Sequence, residues 1–214
     1  MSFDKTENRN ELRSARMREK ILSATLDCIQ EIGFKNSSTP EICRKAGVSR
    51  GALLHHFPTK EVLIANAVEK LLKEEIQDLY RIGDAYSHHE LTIEDFVDNL
   101  WERFSGRLFM ITIDFLSSAR TDEKLRKAIV PVSLDFHTSL NKLWLRFFKH
   151  PNMSADQVQL LLNTTLCLMR GMGVQTIIRN DPEYYDHMRN YWKSFLHTQL
   201  NQVKGDKNGG ANSD

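Results

Sequence analysis

The 214-residue chain is predicted to be all-α: a compact three-helix head containing a helix-turn-helix, then a larger helical domain, about nine helices in all. Three observations predict it. Apolar residues recur at helical spacing along most of the chain, and no alternating run is long enough to make a strand. Start and stop signals isolate two short helices between residues 38 and 57. Beyond residue 154, apolar residues cover more of each helix than one interior face needs.

The first helix is amphipathic, with Met17, Ile21, Thr25, Cys28, Ile29 and Ile32 at helical spacing and Gly33 as its stop. Ser38-Thr39-Pro40-Glu41 has the Ser-x-x-Glu spacing of a capping box, with proline in a first turn whose N–H groups lack internal partners, so a second helix starts at Ser38. It runs only to Ala46, because Gly47 supplies the left-handed geometry that ends a helix, and Ser49 caps a third helix two residues later. Two short helices joined by a three-residue turn containing glycine form the pattern of a DNA-binding helix-turn-helix. An ordinary helical corner shares that pattern, but the amphipathic helix before it completes a compact DNA-binding domain. Ile42, Ala46, Val48, Leu53 and Phe57 are expected in its core, leaving Arg50, Gly51, Ala52, Leu54 and His56 near the outer face.

Beyond Lys60 a long helix is expected to about Arg81, with Leu63, Ala67 and Leu71 inward, and a polar break over residues 83–89. Thr92 to Phe104 and Leu108 to Ala119 make two more helices, Arg120-Thr121-Asp122 a turn, and Pro131 restarts the chain at a helix running to Phe148. His150-Pro151-Asn152 closes that helix. The next, from about Ser154 to Ile178, is apolar around much of its circumference. The last begins at Asp181-Pro182, a cap followed by proline at the first helical position, and carries Tyr184, Tyr185, Met188, Tyr191, Trp192, Phe195 and Leu196. One monomer has one interior to offer them, so residues of about 154–203 are expected to form a homodimer interface; a larger monomer core is the alternative. The domain expectations are a flexible basic arm over 1–13, a head over 14–60, a helical domain over 61–203 and a disordered tail over 204–214.

The formal net charge of +1 is unevenly spread. Residues 1–60 hold 11 Lys/Arg against 7 Asp/Glu, or +4, leaving 18 against 21, or −3, for the rest. The basic end is the helix-turn-helix end, and Arg9, Arg13, Arg16 and Arg18 lie where an arm would reach phosphates or the minor groove, although Glu7, Glu11 and Glu19 dilute them. Cys28, Cys43 and Cys167 fall on apolar helical faces with no Cys-x-x-Cys spacing, so they are expected as reduced core residues of a cytoplasmic protein. No apolar run approaches the roughly 20 residues of a membrane span, and the polar N-terminus does not resemble an export signal.

These residues resemble the tetracycline-repressor (TetR) family of bacterial transcription regulators. Ile21-Leu22-x-Ala24, Ile32-Gly33-Phe34, Ile42, Ala46-Gly47-Val48-Ser49-x-Gly51-x-Leu53, His56-Phe57 and Lys60 carry its pattern, over about residues 14 to 65. The family usually has Leu-Tyr-Tyr-His-Phe in the recognition helix; here Leu54 and His55 replace the two aromatics, so the usual hydroxyl contact at position 54 is absent. The resemblance implies a homodimer whose last two helices pair across subunits and whose recognition helices read a near-palindrome with half-sites about 34 Å apart. It further implies repression relieved by a small-molecule effector in the C-terminal domain, which shifts the helix from Lys60 to Arg81. A ligand-independent DNA-binding dimer is the alternative.

Contact roles follow from chemistry. Arg50 is the candidate for bidentate contact with guanine O6 and N7, while Gly51 and Ala52 permit close approach and can meet a thymine methyl. Thr39 at a helix start and Lys60 at the opening of the long helix are expected to hold phosphates, and Ser38 and Ser49 stand at the starts of the second and third helices. His56 matches a family position that often bonds phosphate. His55 either joins this set or packs against the first helix.

An enzyme is the rival class. Gly47-Val48-Ser49-Arg50-Gly51 fits the Gly-x-Ser-x-Gly nucleophile elbow, but that motif needs a preceding strand and a parallel sheet, and Ser49 already has a role as helix cap. The pairs His55-His56 and His88-His89 lack metal-ligand spacing, and no phosphate-binding loop is present, so no catalytic site, metal or cofactor is expected. For the effector pocket, Trp101, Phe104, Phe109, Phe115, Phe136, Trp144 and Met169 lie on helices that surround it in relatives, with Asp114, Thr112, Asn163 and Arg170 as polar groups on the same helices. That mix points to an apolar or aromatic effector with one or two polar anchors.

Overall fold

The computed structural model describes residues 3–151 and 153–202, with side chains over 9–151 and 153–200. Among them are nine α-helices and no strand: α1 (Phe3–Asn36), α2 (Thr39–Ala46), α3 (Arg50–His56), α4 (Lys60–Ser87), α5 (Ile93–Ser105), α6 (Arg107–Ala119), α7 (Glu123–Phe147), α8 (Ala155–Thr176) and α9 (Pro182–Gln202). They gather into two units, Met1–Glu74 with Met110–Phe136 and Glu75–Phe109 with His137–Asp214. A linear boundary at residue 60 does not describe this: the head unit takes in the first part of α4, most of α6 and the first half of α7.

In the first unit, α1 buries Ile21, Leu22, Leu26, Cys28 and Ile29, each large aliphatic contributing about 1.5 to 3 kcal/mol. Met17 is half-buried and Ile32 exposed, so the stripe is narrower than the periodicity implies. Residues 3–13, expected as a flexible arm, are the first turns of α1. Nothing between Phe3 and Ile32 breaks a helix, and acidic residues lead the stretch, as the helix dipole favours. Residues 1–2 and the expected tail at 204–214 lie outside the described residues. Gly33 is the helix break, at φ 76° and ψ 159°, in a region that essentially only glycine occupies. Asp114 of α6 fastens this corner: its Oδ2 accepts the Phe34 N–H at 3.0 Å. Ile111 and Phe115, on the same helix, are buried.

In the second unit α5 packs on α8 and α9. Two expectations are corrected there. α4 does not stop near Arg81 but continues through Gly83 to Ser87. A Cβ on Gly83 would stand 2.6 Å from Cδ2 of Phe147, so this glycine serves close packing against α7 rather than a break. α7 starts at Glu123, not at Pro131, because Asp122 Oδ1 accepts the N–H groups of Lys124 and Leu125, both at 3.0 Å. Pro131 sits exposed inside the helix, where buried Leu125 and Ile129 before it and Phe136 and Leu140 after it outweigh the lost hydrogen bond.

Trp144 is fully buried, edge-on to Phe96 and Phe148. Arg103 bridges Glu75 at 3.3 Å and Asp78 at 3.1 Å, and Lys193 bridges Asp98 at 2.6 Å. Ser154 and Gln157 complete a reciprocal capping box at the start of α8, and Asp181 accepts the Tyr184 N–H at the start of α9. Cys28 and Cys43 are buried as expected, but Cys167 is exposed, because it shares the outward face of α8 with Leu160, Thr164 and Gly171. Among the described residues no helix is long and apolar enough to cross a membrane, and no three His, Cys, Asp or Glu side chains cluster to hold a metal.

Candidate nucleic-acid interface

Local chemistry builds α2 and α3. Ser38 Oγ accepts the Glu41 N–H at 3.4 Å, half of the expected capping box. The other half is absent, because the Glu41 carboxylate turns to Arg44, whose Nη2 lies 2.8 Å from Oε1; that hydrogen bond holds the carboxyl below the usual Glu range. Gly47 adopts φ 58° and ψ 44° and closes α2, its N–H on Arg44 O and that of Val48 on Cys43 O. Ser49 Oγ accepts the Ala52 N–H at 3.1 Å. Ile42, Ala46, Leu53 and Phe57 are buried, while Val48, expected with them, is only half-buried because it lies in the turn.

This leaves one exposed face on α3. Arg50, Gly51, Leu54 and His55 are exposed, and Ala52 and His56 are half-buried. The Arg50 guanidinium has no acceptor among the described residues, so its donors point to solvent or to a ligand. A Cβ on Gly51 would meet nothing closer than Ser49 Oγ at 3.9 Å, so no neighbour inside the chain requires a glycine there. His55 does not bury against α1; its ring lies 5.3 Å from that of His56, edge-on. Thr39 is half-buried at the first position of α2. Lys60 opens α4 with its ammonium 5.1 Å above the Phe34 ring, which restricts where it can reach.

Two basic residues of α1 approach these helices: Arg18, expected on the basic arm, and Lys20, which motif reading does not single out. Arg18 stacks over the Phe57 ring at 4.7 Å and donates to Asn66 Oδ1, tying α1 to the end of α3 and to α4. The ammonium of Lys20 lies 3.5 Å from where a Gly47 Cβ would stand, beside the turn between α2 and α3. Helical phase alone places both on the polar side of α1 and says nothing about the turn they approach.

The expected effector residues divide between the units. Thr112, Asp114, Phe115 and Phe136 belong to the first, where Asp114 is committed to Phe34 N–H. The others belong to the second, largely in core contacts: Trp101 stacks on Tyr185 at 5.9 Å beneath Arg189, Phe109 abuts Gly173, and Met169 is fully buried. Trp144 Nε1 donates to Asn163 Oδ1 at 3.2 Å, and Asn163 in turn donates to Asn141. Arg170 stands 5.0 Å over the Phe104 ring without a carboxylate within ion-pair distance among the described residues, and burial lowers its pKa. A cavity of about 340 Å³ in this unit is lined by other residues, including Tyr86, Ile93, Phe148, Val158, Leu162 and Leu196.

Residues 21–67 match the family described as bacterial regulatory proteins, tetR family. The chain is 28% identical over 172 residues to the HTH-type transcriptional regulator CymR of Pseudomonas putida, covering 80% of this chain and 84% of that one. It is 23% identical over 195 residues to the HTH-type transcriptional regulator BetI of Pseudomonas aeruginosa, covering 88% and 95%. Among solved structures, the multidrug binding protein EbrR complexed with imidazole superposes with a TM-score of 0.63 at 19% identity, covering 86% of this chain and 94% of that one. Escherichia coli NemR in its reduced form does so at 0.64 and 16%, covering 86% and 97%. A transcriptional regulator from Saccharomonospora viridis in complex with choline gives 0.59 at 18%, covering 86% and 96%. With its helix-turn-helix formed and both helices capped by serine, the chain carries over residues 21–67 the DNA-binding head of the bacterial regulatory proteins of the tetR family, and along most of its length it is similar to HTH-type transcriptional regulators.

Proposed function

We propose that the protein works in the cytoplasm as a homodimeric repressor that binds a near-palindromic operator and leaves it when a small molecule occupies the second unit. The observation that carries the DNA reading is the exposed face of α3, with an unbonded Arg50 guanidinium beside a glycine that no internal contact requires. In this reading Arg50 reads guanine, Gly51 and Ala52 approach the bases, and Leu54 and His55 supply apolar and hydrogen-bonding contacts in place of the family's aromatics. Ser38, Thr39, Ser49, His56 and Lys60 lie at or near helix ends, where phosphates are held.

The dimer reading rests on an apolar face that one chain leaves open: Leu160, Ile178 and Tyr191 are 69%, 82% and 78% exposed, and Tyr184 and Phe195 share the Tyr191 face of α9. The effector reading draws on neighbours of the same fold that hold imidazole and choline. An effector that favours one dimer conformation by about 1 to 3 kcal/mol changes occupancy several-fold to a hundredfold.

Selection of genomic fragments at about 0.15 M salt with excess competitor DNA tests the whole, because phosphate contacts alone weaken steeply with salt. A discrete near-palindrome is expected. Arg50→Ala should lose about 1 to 3 kcal/mol of operator affinity and relax preference at one base pair per half-site. Absence of enrichment, or unchanged preference in the variant, overturns the reading.

A further inference from the structure

The cavity in the second unit lies where the end of α4, the start of α5, the α7–α8 corner and the end of α9 meet. Its volume of about 340 Å³ falls in the range of small-molecule sites. At roughly 30 Å³ per water-sized group it holds about eleven such groups, the bulk of a body of about eight to ten carbons with a small head. The walls are apolar: Ile93, Phe148, Val158, Leu162 and Leu196, with the Tyr86 and Phe148 rings stacked at 4.6 Å. The corner is tied down by His150, whose Nε2 must carry the proton, since its partner at 2.9 Å is the Leu200 carbonyl oxygen.

Two polar groups on the lining have no counterpart. The Tyr86 hydroxyl has no hydrogen-bond acceptor among the described residues, and burial raises its pKa, which keeps it a neutral donor. Lys149 carries an exposed ammonium with no carboxylate in ion-pair distance among the described residues. The acid that bears on Tyr86, Glu94, is held by His197 Nδ1 at 2.9 Å. A donor and an unpaired cation at the edge of an apolar hollow select a ligand that is greasy along its body and negative at one end.

We propose that this cavity is a binding site for an amphipathic monoanion, an unbranched or aromatic carboxylate of about ten carbons, with its body against Phe148, Val158 and Leu162 and its carboxylate toward Tyr86 and Lys149. The site deepens the effector reading and rests on it for any regulatory consequence; binding itself is measured without DNA. It is also separate from the residues expected around Trp101 and Arg170, which the cavity does not include.

The test is calorimetric titration of the full chain with decanoate, decanol and decyltrimethylammonium, all below their aggregation concentrations. Decanoate should bind most tightly. Leu162→Trp, which fills the hollow, should weaken it by more than about tenfold, and Lys149→Gln, a surface change that leaves the fold alone, by about fivefold with decanol unaffected. Equal affinity for all three probes, or decanoate binding insensitive to both substitutions, overturns the site. Operator affinity of the same samples separates the two readings. Decanoate that binds at this site without changing operator affinity removes its effector role and leaves the site standing; loss of operator binding in every sample, ligand or none, defeats the regulator reading instead.

Discussion

Gly33→Ala should destabilise the head more than almost any other single-methyl change, for two separable reasons. At φ 76° and ψ 159° the residue occupies backbone space closed to L-amino acids, which costs about 1 to 3 kcal/mol. The new methyl would also stand 3.3 Å from Asp114 Oδ2, the oxygen that accepts the Phe34 N–H at 3.0 Å. Relieving that approach by a few tenths of an ångström stretches a charge-assisted bond and forfeits part of its roughly 1.5 to 3 kcal/mol. Against these stands a gain of about 0.4 to 1 kcal/mol from a less flexible unfolded chain. The net is about 1 to 4 kcal/mol, or a fall in unfolding midpoint of roughly 3 to 12 °C in a chain of this size.

Urea and thermal unfolding followed by circular dichroism measure it. The double variant Gly33→Ala/Asp114→Ala isolates the crowding: the two costs should add to less than their sum, because removing the carboxylate removes the collision but not the strain. A Gly33→Ala protein as stable as its parent within about 0.5 kcal/mol would refute both the backbone argument and the role assigned to Asp114.

Other expectations come from packing and charge. Gly83→Ala would ordinarily stabilise a helix by about 1 kcal/mol; here its methyl would lie 2.6 Å from the Phe147 ring, so a loss of about 1 to 3 kcal/mol is expected, largely recovered in Gly83→Ala/Phe147→Leu. Unfolding midpoints of the two proteins check this. Burial pushes the Glu75 carboxyl up, more than Arg103 draws it down. The folded chain then holds that proton more tightly than the unfolded one, so its stabilising contribution is complete below the ordinary Glu value of about 4.3 and is lost as pH rises through the raised one. Glu75→Gln, which mimics the protonated acid and leaves Asp78 to Arg103, should gain stability relative to the parent as pH rises across that window. Parallel urea midpoints for the two proteins from pH 4 to 8 would contradict the sign.

The head was legible because its signals are local. A serine before each helix and Gly47 between them act within four residues, and the structure finds both serine side chains on the expected N–H groups. The errors fall where a residue type serves two masters. Gly83 and Pro131 read as breaks because both disfavour helix interiors. Gly83 instead answers to Phe147, far away in sequence, and Pro131 rides on a helix already capped by Asp122 and buried on either side of the proline. Glu41 has the spacing of a capping box, but Arg44 one turn on offers a charge where the backbone offers only a dipole.

The effector residues cannot be told from plain core in the sequence for a different reason. An aromatic side chain on an inward helical face has the same pattern whether it lines a hollow or fills one, since both place apolar area away from water. Trp144 is buried between Phe96 and Phe148, whereas Phe148, one turn on, stands at the edge of open space. What distinguishes the two positions is the corner that follows Phe148, where α7 ends and α8 has not begun, so that a ring otherwise covered by Tyr86 and Phe96 borders the cavity on one side. That vacancy is a property of where elements stop. A search for pockets in sequences of this kind should therefore weigh apolar residues within one turn of a helix end, especially before a proline such as Pro151, above the larger aromatics in mid-helix.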